Sequence, residues 1–499
     1  MELRDHGIYY RALQGRDARF DGLIYVGVKS TGIYCRPICP ARTPKSENCR
    51  FYSSAAAAQD AGFRPCLRCR PESAPDLASW RGTSNTVSRA LALISEGALD
   101  GAEASVEKLS ARLGVGERQL RRLFLQHLGA SLISVAQTRR VLFAKQLIHE
   151  TQLPMTEVAL AAGFSSLRRF NETFRELYHR PPSALRRKSS ANRTGNDTGV
   201  TLRIRYRSPY DWDSILAFLK ARAIPGVEVI ENGRYLRTVA IDGLTGSVEV
   251  AHEPERQGLG VTIRFPDVRS LPAIVARVRR LFDTGADIET INAHLSSDPF
   301  LAPLIVQRPG LRAPGGWDGF EIAVRAVLGQ QISVAAARRF AGQLVALHCR
   351  ELPMEQRIHT GLTHVFPTPE QLASVKSLGL AMPAARQAAL KAVAEATVAD
   401  PNLFRSLGNI EETVERLRTI RGVGDWTAHY IALRAIRETD AFPASDIGLL
   451  RGAGALKGGK PTPAHLLVHA RLWSPWRAYA AQHLWAADPV ALSKSINGV

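Results

Sequence analysis

A chain of 499 residues exceeds what one hydrophobic core holds, so three or four domains are expected. With 45% hydrophobic and 22% charged residues it is of ordinary globular make-up; residues 1–20 are too polar for a signal peptide and no membrane-length apolar run follows, so a cytoplasmic protein with no membrane partner is expected. The net charge of +19 argues for a polyanionic partner, and residues 1–190 carry most of it, with 29 Lys and Arg against 17 Asp and Glu.

Residues 1–80 hold two close cysteine pairs. Three residues separate Cys35 from Cys39, two separate Cys66 from Cys69, and twenty-six lie between the pairs. Two short loops that each supply two thiolates match a tetrahedral zinc site, with Zn–S near about 2.3 Å. In a reducing cytosol paired thiols read as metal ligands before disulfides. One Zn2+ is therefore expected on Cys35, Cys39, Cys66 and Cys69, with Cys49 and Cys349 as inert thiols. The segments Thr31-Gly-Ile-Tyr-Cys-Arg-Pro-Ile-Cys and Ala61-Gly-Phe-Arg-Pro-Cys-Leu-Arg-Cys resemble the N-terminal domain of the Ada DNA-repair and response proteins. The resemblance implies that Cys35 accepts a methyl group from a DNA phosphotriester, and that Thr31, Arg42 and Arg64 approach phosphates. Four thiolates on one zinc ion carry a formal charge of −2; methylating one leaves −1 and weakens repulsion of the DNA backbone. A purely structural zinc with a silent Cys35 is the alternative.

Residues 83–188 read as helix, Gly114-Val-Gly turn, helix, then a long helix over about Leu132–His149, then the same pattern again with Ala162-Gly-Phe at the turn. Val106, Leu109, Leu113, Leu120, Leu123 and Phe124 follow the helical period. The repeat resembles the AraC-type DNA-binding domain, whose two helix-turn-helix units enter successive major grooves. Recognition surfaces are expected at Glu117, Arg118 and Arg121, and at Ser166, Arg168, Arg169 and Asn171. Any one such arginine more often meets a phosphate than a base. Joined to the zinc module, this is the arrangement of a methylation-sensing regulator, which implies promoter DNA and RNA polymerase as partners. The Pro-Cys-His site by which full Ada proteins remove O6-methyl from guanine does not occur in the chain, so that activity is not carried over.

Residues 189–200, Ser-Ser-Ala-Asn-Arg-Thr-Gly-Asn-Asp-Thr-Gly and the residue after, lack apolar periodicity and read as a linker. Residues 201–282 alternate extended runs (202–206, 235–241 and 260–265) with a helix near Ser214–Arg222, an α+β pattern with a small antiparallel sheet. From residue 283 to 499 the pattern is helical.

Within that last stretch, Val414, Leu417 and Ile420 keep helical spacing up to Arg421-Gly422-Val423-Gly424, after which a second helix runs through Ile436. Gly422 and Gly424 let the helices turn back on one another and leave amides bare for a phosphate. The order hairpin, Trp426-Thr427-Ala, aromatic, Phe442-Pro-Ala-Ser-Asp446 resembles the helix-hairpin-helix DNA glycosylases, and Ser208-Pro-Tyr-Asp-Trp with Leu216-Ala-Phe-Leu resembles the opening of AlkA-type 3-methyladenine glycosylases. The resemblance covers essentially residues 201–499. It implies that Gly422, Gly424 and Thr427 face the DNA backbone, and that Asp446 stabilises an oxocarbenium-like sugar and assists water. The alternative role for Asp446 is a helix N-cap. Trp426, Tyr430, Trp485 and Phe218 are expected to form an electron-rich pocket for a flipped, cationic base. Gln331 aligns with the wedge that fills the vacated stack, where relatives carry an apolar side chain.

Asp425-Trp426 stands where strand-nicking relatives place a Schiff-base lysine, so a monofunctional enzyme is expected. With no cysteine after Cys349, no iron-sulfur cluster is expected, and no organic cofactor. The expected architecture is thus multidomain and mainly α with α+β parts: a small zinc-bound α/β domain, a double helix-turn-helix, an α+β domain and an all-α helix-hairpin-helix domain. The expected protein is a monomer on double-stranded DNA that senses methylation, regulates transcription and excises 3-methyladenine-type bases. Its rival is a regulator whose rear half only holds DNA.

Overall fold

The computed structural model describes residue 3 and residues 5–74, 85–101, 104–186, 199–405, 409–457, 459 and 461–489. The linker expected at 189–200 lies almost wholly outside the described residues. Two compact units emerge, one of Met1–Tyr206, Glu253–Ala276 and Thr284–Ala286, the other of Arg207–His252, Arg277–Asp283 and Asp287–Val499. Among the described residues the strands are β1 (Tyr25–Val28), β2 (Ile33–Cys35), β3 (Cys49–Tyr52), β4 (Arg64–Pro65), β5 (Val200–Arg205), β6 (Glu228–Glu231), β7 (Arg234–Ile241), β8 (Leu244–Glu253) and β9 (Gly258–Arg264).

In the first unit the sheet order is β3-β1-β2-β4. β1 runs antiparallel to β2 and β3, while β2 and β4 are parallel with Ile33 opposite Arg64. That parallel pair delivers Cys35, the last residue of β2, beside Cys66, the first residue after β4. The helices expected at the two turns are Val106–Leu113 with Glu117–Leu128, and Met155–Ala161 with Leu167–Tyr178; Leu132–Glu150 connects them. Ser105, Ser131 and Ser166 cap three of these helices, and Gly114 ends the first in a left-handed conformation that glycine adopts without strain. Leu109, Leu113, Leu120, Phe124 and Leu128 are buried in one cluster, while Phe164, Phe170, Phe174 and Tyr178 pack edge-on or tilted in sequence at centroid spacings of 5.2, 4.9 and 5.6 Å.

Composition places a boundary between residues 80 and 83, but the two modules on either side count as one unit. Ala130 packs among Tyr25, Tyr34, Tyr52 and Phe63 of the cysteine module. The Ser54 hydroxyl donates to the Leu128 carbonyl at 2.7 Å, satisfying an acceptor that the end of its helix leaves free. Lys145, fully buried in the long helix, donates to the Cys66 carbonyl at 2.9 Å and to Glu72 at 2.7 Å. β5 also belongs here: Gln146 donates to the Arg203 carbonyl and the Arg203 amide donates to Glu150.

The second unit holds the antiparallel meander β6-β7-β8, with Glu228 opposite Arg237 and Tyr235 opposite Val250. The sequence pattern marks β7 but neither β6 nor β8. Helices of this unit include Trp212–Arg222, Gly319–Leu328, Val334–His348, Ala384–Ala399, Ile410–Arg418, Asp425–Ile431, Ile447–Lys457 and Arg477–Ala486. Charged groups inside are paired: Arg237 reaches Glu321 at 2.8 Å, and Arg325 bridges Glu228 and Glu321 at 2.5 and 2.7 Å. Two buried carboxylates shared between two arginines leave no charge bare.

Candidate functional site

The hairpin is held by contacts that spacing alone does not reveal. Gly422 has φ +84° and faces the Ala389 side chain so closely that an added Cβ would come within 2.3 Å of it. Gly424 differs: its φ of −87° suits any residue, and a Cβ there would meet nothing within 4 Å. Only Gly422 is therefore needed to make the turn. Gln330, the residue before Gln331, ties the loop from the other side, donating to the Gly422 carbonyl at 2.9 Å and to the Thr427 hydroxyl at 3.0 Å. Thr427, expected at the DNA backbone, is buried at 2% exposure with its hydroxyl engaged inside the protein, and so belongs to the hairpin's support. Gln331, by contrast, is exposed and takes a left-handed φ of +57°, a conformation uncommon for residues other than glycine and one that marks functional loops.

Asp446 follows Phe442, whose buried ring packs on Trp473 at 5.7 Å, and begins helix Ile447–Lys457. Its carboxylate accepts from three donors: Trp426 Nε1 gives to Oδ2 at 2.8 Å, Trp485 Nε1 to Oδ1 at 2.8 Å, and the Leu449 amide to Oδ1 at 3.0 Å. The side chain is half-buried, as are Trp426, Tyr430 and Trp485. Trp426 and Tyr430 stack at 5.3 Å with planes 16° apart, one helical turn from each other. Gly448 lacks a side chain where a Cβ would press on Asp446 Oδ1 at 3.0 Å and on Trp485 at 3.1 Å. Gly452 lets its helix approach the Leu484 carbonyl, to within 2.0 Å of where a Cβ would stand, which brings Asp446 against the helix that carries Trp485. Arg451 and Asp488 clamp the same pair of helices by two bonds of 2.9 and 2.7 Å.

Phe218 is placed with this group, but its ring is already shared by two guanidinium groups, Arg222 at 4.0 Å and Arg434 at 4.5 Å from the centroid. The residue thus serves as a cation partner. The position of a Schiff-base lysine holds Asp425, exposed and 3.9 Å from His429.

In the first unit the Sγ atoms of Cys35, Cys39, Cys66 and Cys69 all lie within 4.8 Å of one another. Cys39, Cys66 and Cys69 are buried and Cys35 is half-buried. Amides of Arg36 and Arg68 donate to the sulfurs of Cys69 and Cys66, each at 3.3 Å, which favours thiolates. The Cys39 thiol beside Cys35 pushes its pKa up, and the Cys35 thiol beside Cys66 pulls that one down. Four sulfurs this close share protons unequally, and one divalent cation replaces those protons; the donor set fits a single Zn2+. Arg64 lies in β4 beside the exposed Thr31 turn, and Arg42 is exposed. On the helix-turn-helix units, Arg118, Arg121, Arg168 and Arg169 are exposed and Glu117 and Asn171 half-buried. Arg121 pairs with Glu117 at 2.9 Å, Arg168 pairs with Glu172 at 2.7 Å, and exposed Ser166 caps its helix.

The fold and these groups define a zinc-cysteine and double helix-turn-helix unit joined to a helix-hairpin-helix unit of the DNA-glycosylase class. Family models match at residues 8–72 (metal binding domain of Ada), 109–188 (helix-turn-helix domain) and 201–318 (AlkA N-terminal domain). The chain is 43% identical, over 95% of both chains, to the probable bifunctional transcriptional activator/DNA repair enzyme AlkA of Mycobacterium tuberculosis. Over 57% of its length it is 32% identical to DNA-3-methyladenine glycosylase 2 of Escherichia coli, covering 96% of that protein. The solved 3-methyladenine DNA-glycosylase from Archaeoglobus fulgidus shares the fold over 57% of this chain and 97% of that one, with TM-score 0.51 and 22% identity. This chain belongs to the AlkA family of bifunctional transcriptional activator/DNA repair proteins.

Proposed function

We propose that this protein is an alkylation-damage response protein: its first unit senses methyl phosphotriesters at Cys35 and binds promoter DNA, and its second unit is a monofunctional glycosylase that hydrolyses the N-glycosidic bond of alkylated bases. The observation that carries the enzyme reading is the Asp446 carboxylate, which accepts an indole N–H on each oxygen while remaining half-exposed. A carboxylate so oriented is preorganised to face positive charge.

A base turned out of the duplex stacks among Trp426, Tyr430 and Trp485. The bond between C1′ and the base nitrogen breaks and both electrons leave with the base; a cationic base departs neutral and needs no strong general acid. Asp446 stabilises the positive sugar, water adds through its oxygen to C1′, and the proton passes to the carboxylate or to solvent. No amine stands at residues 425–426 to attack C1′, so the product is an abasic site in an unbroken strand. Gly422, Gly424 and Gln331 present the loop surface for the DNA backbone and the vacated stack.

Cys35, Cys39, Cys66 and Cys69 would hold the Zn2+ ion, which would keep their sulfurs as thiolates. Cys35, the least buried of them, then forms the S–CH3 bond as the O–CH3 bond breaks, leaving its electron pair on the phosphate oxygen. The reaction consumes one Cys35 per methyl. The exposed arginines of both recognition helices bind promoter DNA, with RNA polymerase as the downstream partner.

The test is a base-release assay on methylated duplex DNA with the full-length protein. Free 3-methyladenine, with strand scission only after alkali, is the expected result; no free base overturns the enzyme reading.

A further inference from the structure

Gln331, the side chain proposed to fill the vacated stack, lies in the short link between helices Gly319–Leu328 and Val334–His348. It is exposed, and its φ of +57° is left-handed, a conformation that a glutamine keeps only where its surroundings enforce it. The enforcing contacts fall on Gln330. Its carbonyl, part of the peptide unit that joins it to Gln331, accepts from Arg386 Nη2 at 2.8 Å. Its side-chain nitrogen donates to the Gly422 carbonyl at 2.9 Å and to the Thr427 hydroxyl at 3.0 Å. Arg386 is half-buried in the first turn of helix Ala384–Ala399, and Ala389, one turn further on, is the residue that faces Gly422. Gln330, the hairpin and this helix therefore touch pairwise and close a triangle, with Gln331 at one corner.

We propose that Arg386 is a positioning residue for base extrusion: by fixing the Gln330–Gln331 peptide, it sets where Gln331 enters the base stack relative to the phosphates gripped by the hairpin. The proposal rests on the glycosylase reading and on Gln331 as the wedge. Turning a base out of a duplex costs pairing and stacking energy, so the side chain that enters the gap must not yield. A left-handed link without its brace relaxes toward an ordinary backbone conformation, and the wedge withdraws. An arginine donating to a carbonyl makes a charge-assisted bond, stronger than a neutral donor would give. Asp446 takes its hydrogen bonds from Trp426, Trp485 and Leu449, none of them from Gln330, Gln331 or Arg386. Arg386 thus acts on extrusion, before the C1′–N bond is broken.

The test measures single-turnover base release by the full-length protein from two duplexes carrying 7-methylguanine. In one the lesion faces cytosine; in the other it faces a tetrahydrofuran abasic analogue, so that no pair has to be broken. Wild type, Arg386→Met, Arg386→Lys and Gln331→Ala are compared, with the thermal melting of each. Arg386→Met should lose about tenfold on the paired lesion and stay within about twofold of wild type on the unpaired one. Arg386→Lys, which still donates to the carbonyl, should recover most of that loss. Arg386→Ala carries the same expectation as the methionine variant and replaces it if that chain does not fold. Equal losses on both duplexes would make Arg386 a support for the hairpin alone, and unchanged release from both would leave it no role; either result overturns the proposal. Full release from the paired lesion by Gln331→Ala would overturn it too, by removing Gln331 as the wedge. Wild type that releases no base from either duplex is a different failure, that of the glycosylase reading itself.

Discussion

Trp485 Nε1 donates to Asp446 Oδ1 at 2.8 Å, and that same oxygen accepts the Leu449 amide at 3.0 Å. The Leu449 contact makes Asp446 a helix cap, and the same carboxylate is the one proposed to stabilise the sugar cation. Asp446→Asn keeps a competent cap but removes the charge and sets an amide N–H2 against one indole. Base release should fall by about 10³-fold, with a stability loss of only about 1 kcal/mol and near-normal duplex affinity. Single-turnover release measured beside DNA binding decides it, since a parallel loss of binding would make the residue structural.

The two hairpin glycines should part company on substitution. Gly422→Ala adds a Cβ in a left-handed conformation, 2.3 Å from Ala389, and should cost about 2 kcal/mol or more while weakening both binding and base release. Gly424→Ala meets no atom within 4 Å and should melt near the wild-type temperature, losing affinity only on DNA. Melting curves and salt-dependent DNA titrations of both variants separate these outcomes; equal destabilisation would contradict the assigned roles.

Glu321 is buried, which raises its pKa, yet the guanidinium groups of Arg237 and Arg325 outweigh burial and hold it at about 2 against an ordinary value of 4.5. A carboxylate depressed in the folded state contributes stability that is fully present above pH 4.5 and is lost as pH falls toward 2. Denaturant unfolding of the full chain should therefore weaken over that window. Glu321→Gln should be less stable by about 3 kcal/mol at neutral pH and show a flatter acid dependence; an unaltered slope would show that other groups set it.

Cys35 is half-buried where its three partners are buried. After incubation with methyl-phosphotriester DNA, intact-mass spectrometry should find one added methyl group, mapped to Cys35 and absent from Cys35→Ala. A chain left unmodified would make the zinc a structural staple. Chelation of the metal should destabilise the first unit as a whole, because Lys145 joins the Cys66 loop to the long helix.

Features that depend on short spacing are legible in the order of residues. Cys35 with Cys39 and Cys66 with Cys69 come from tight turns, so ligand chemistry is written locally; the same holds for Ser105 and Ser166 as caps, Gly114 at its turn, and the order Gly422, Trp426, Asp446. Local patterns also mark Thr427 as one turn from the hairpin, but not that it points inward.

Residue order is thus enough for the zinc ligands, the paired helix-turn-helix helices and the carboxylate with its aromatic neighbours, because each is set by residue type at fixed local separation. Folding in three dimensions was needed to show that Lys145 binds the Cys66 loop, that Gln330 braces the hairpin, that Gly452 brings Asp446 to Trp485, and that the Arg434 guanidinium lies 5.0 Å from the Trp485 ring. Those relations join residues dozens of positions apart, and their energy comes from burying polar groups against partners that no helical or strand period places together.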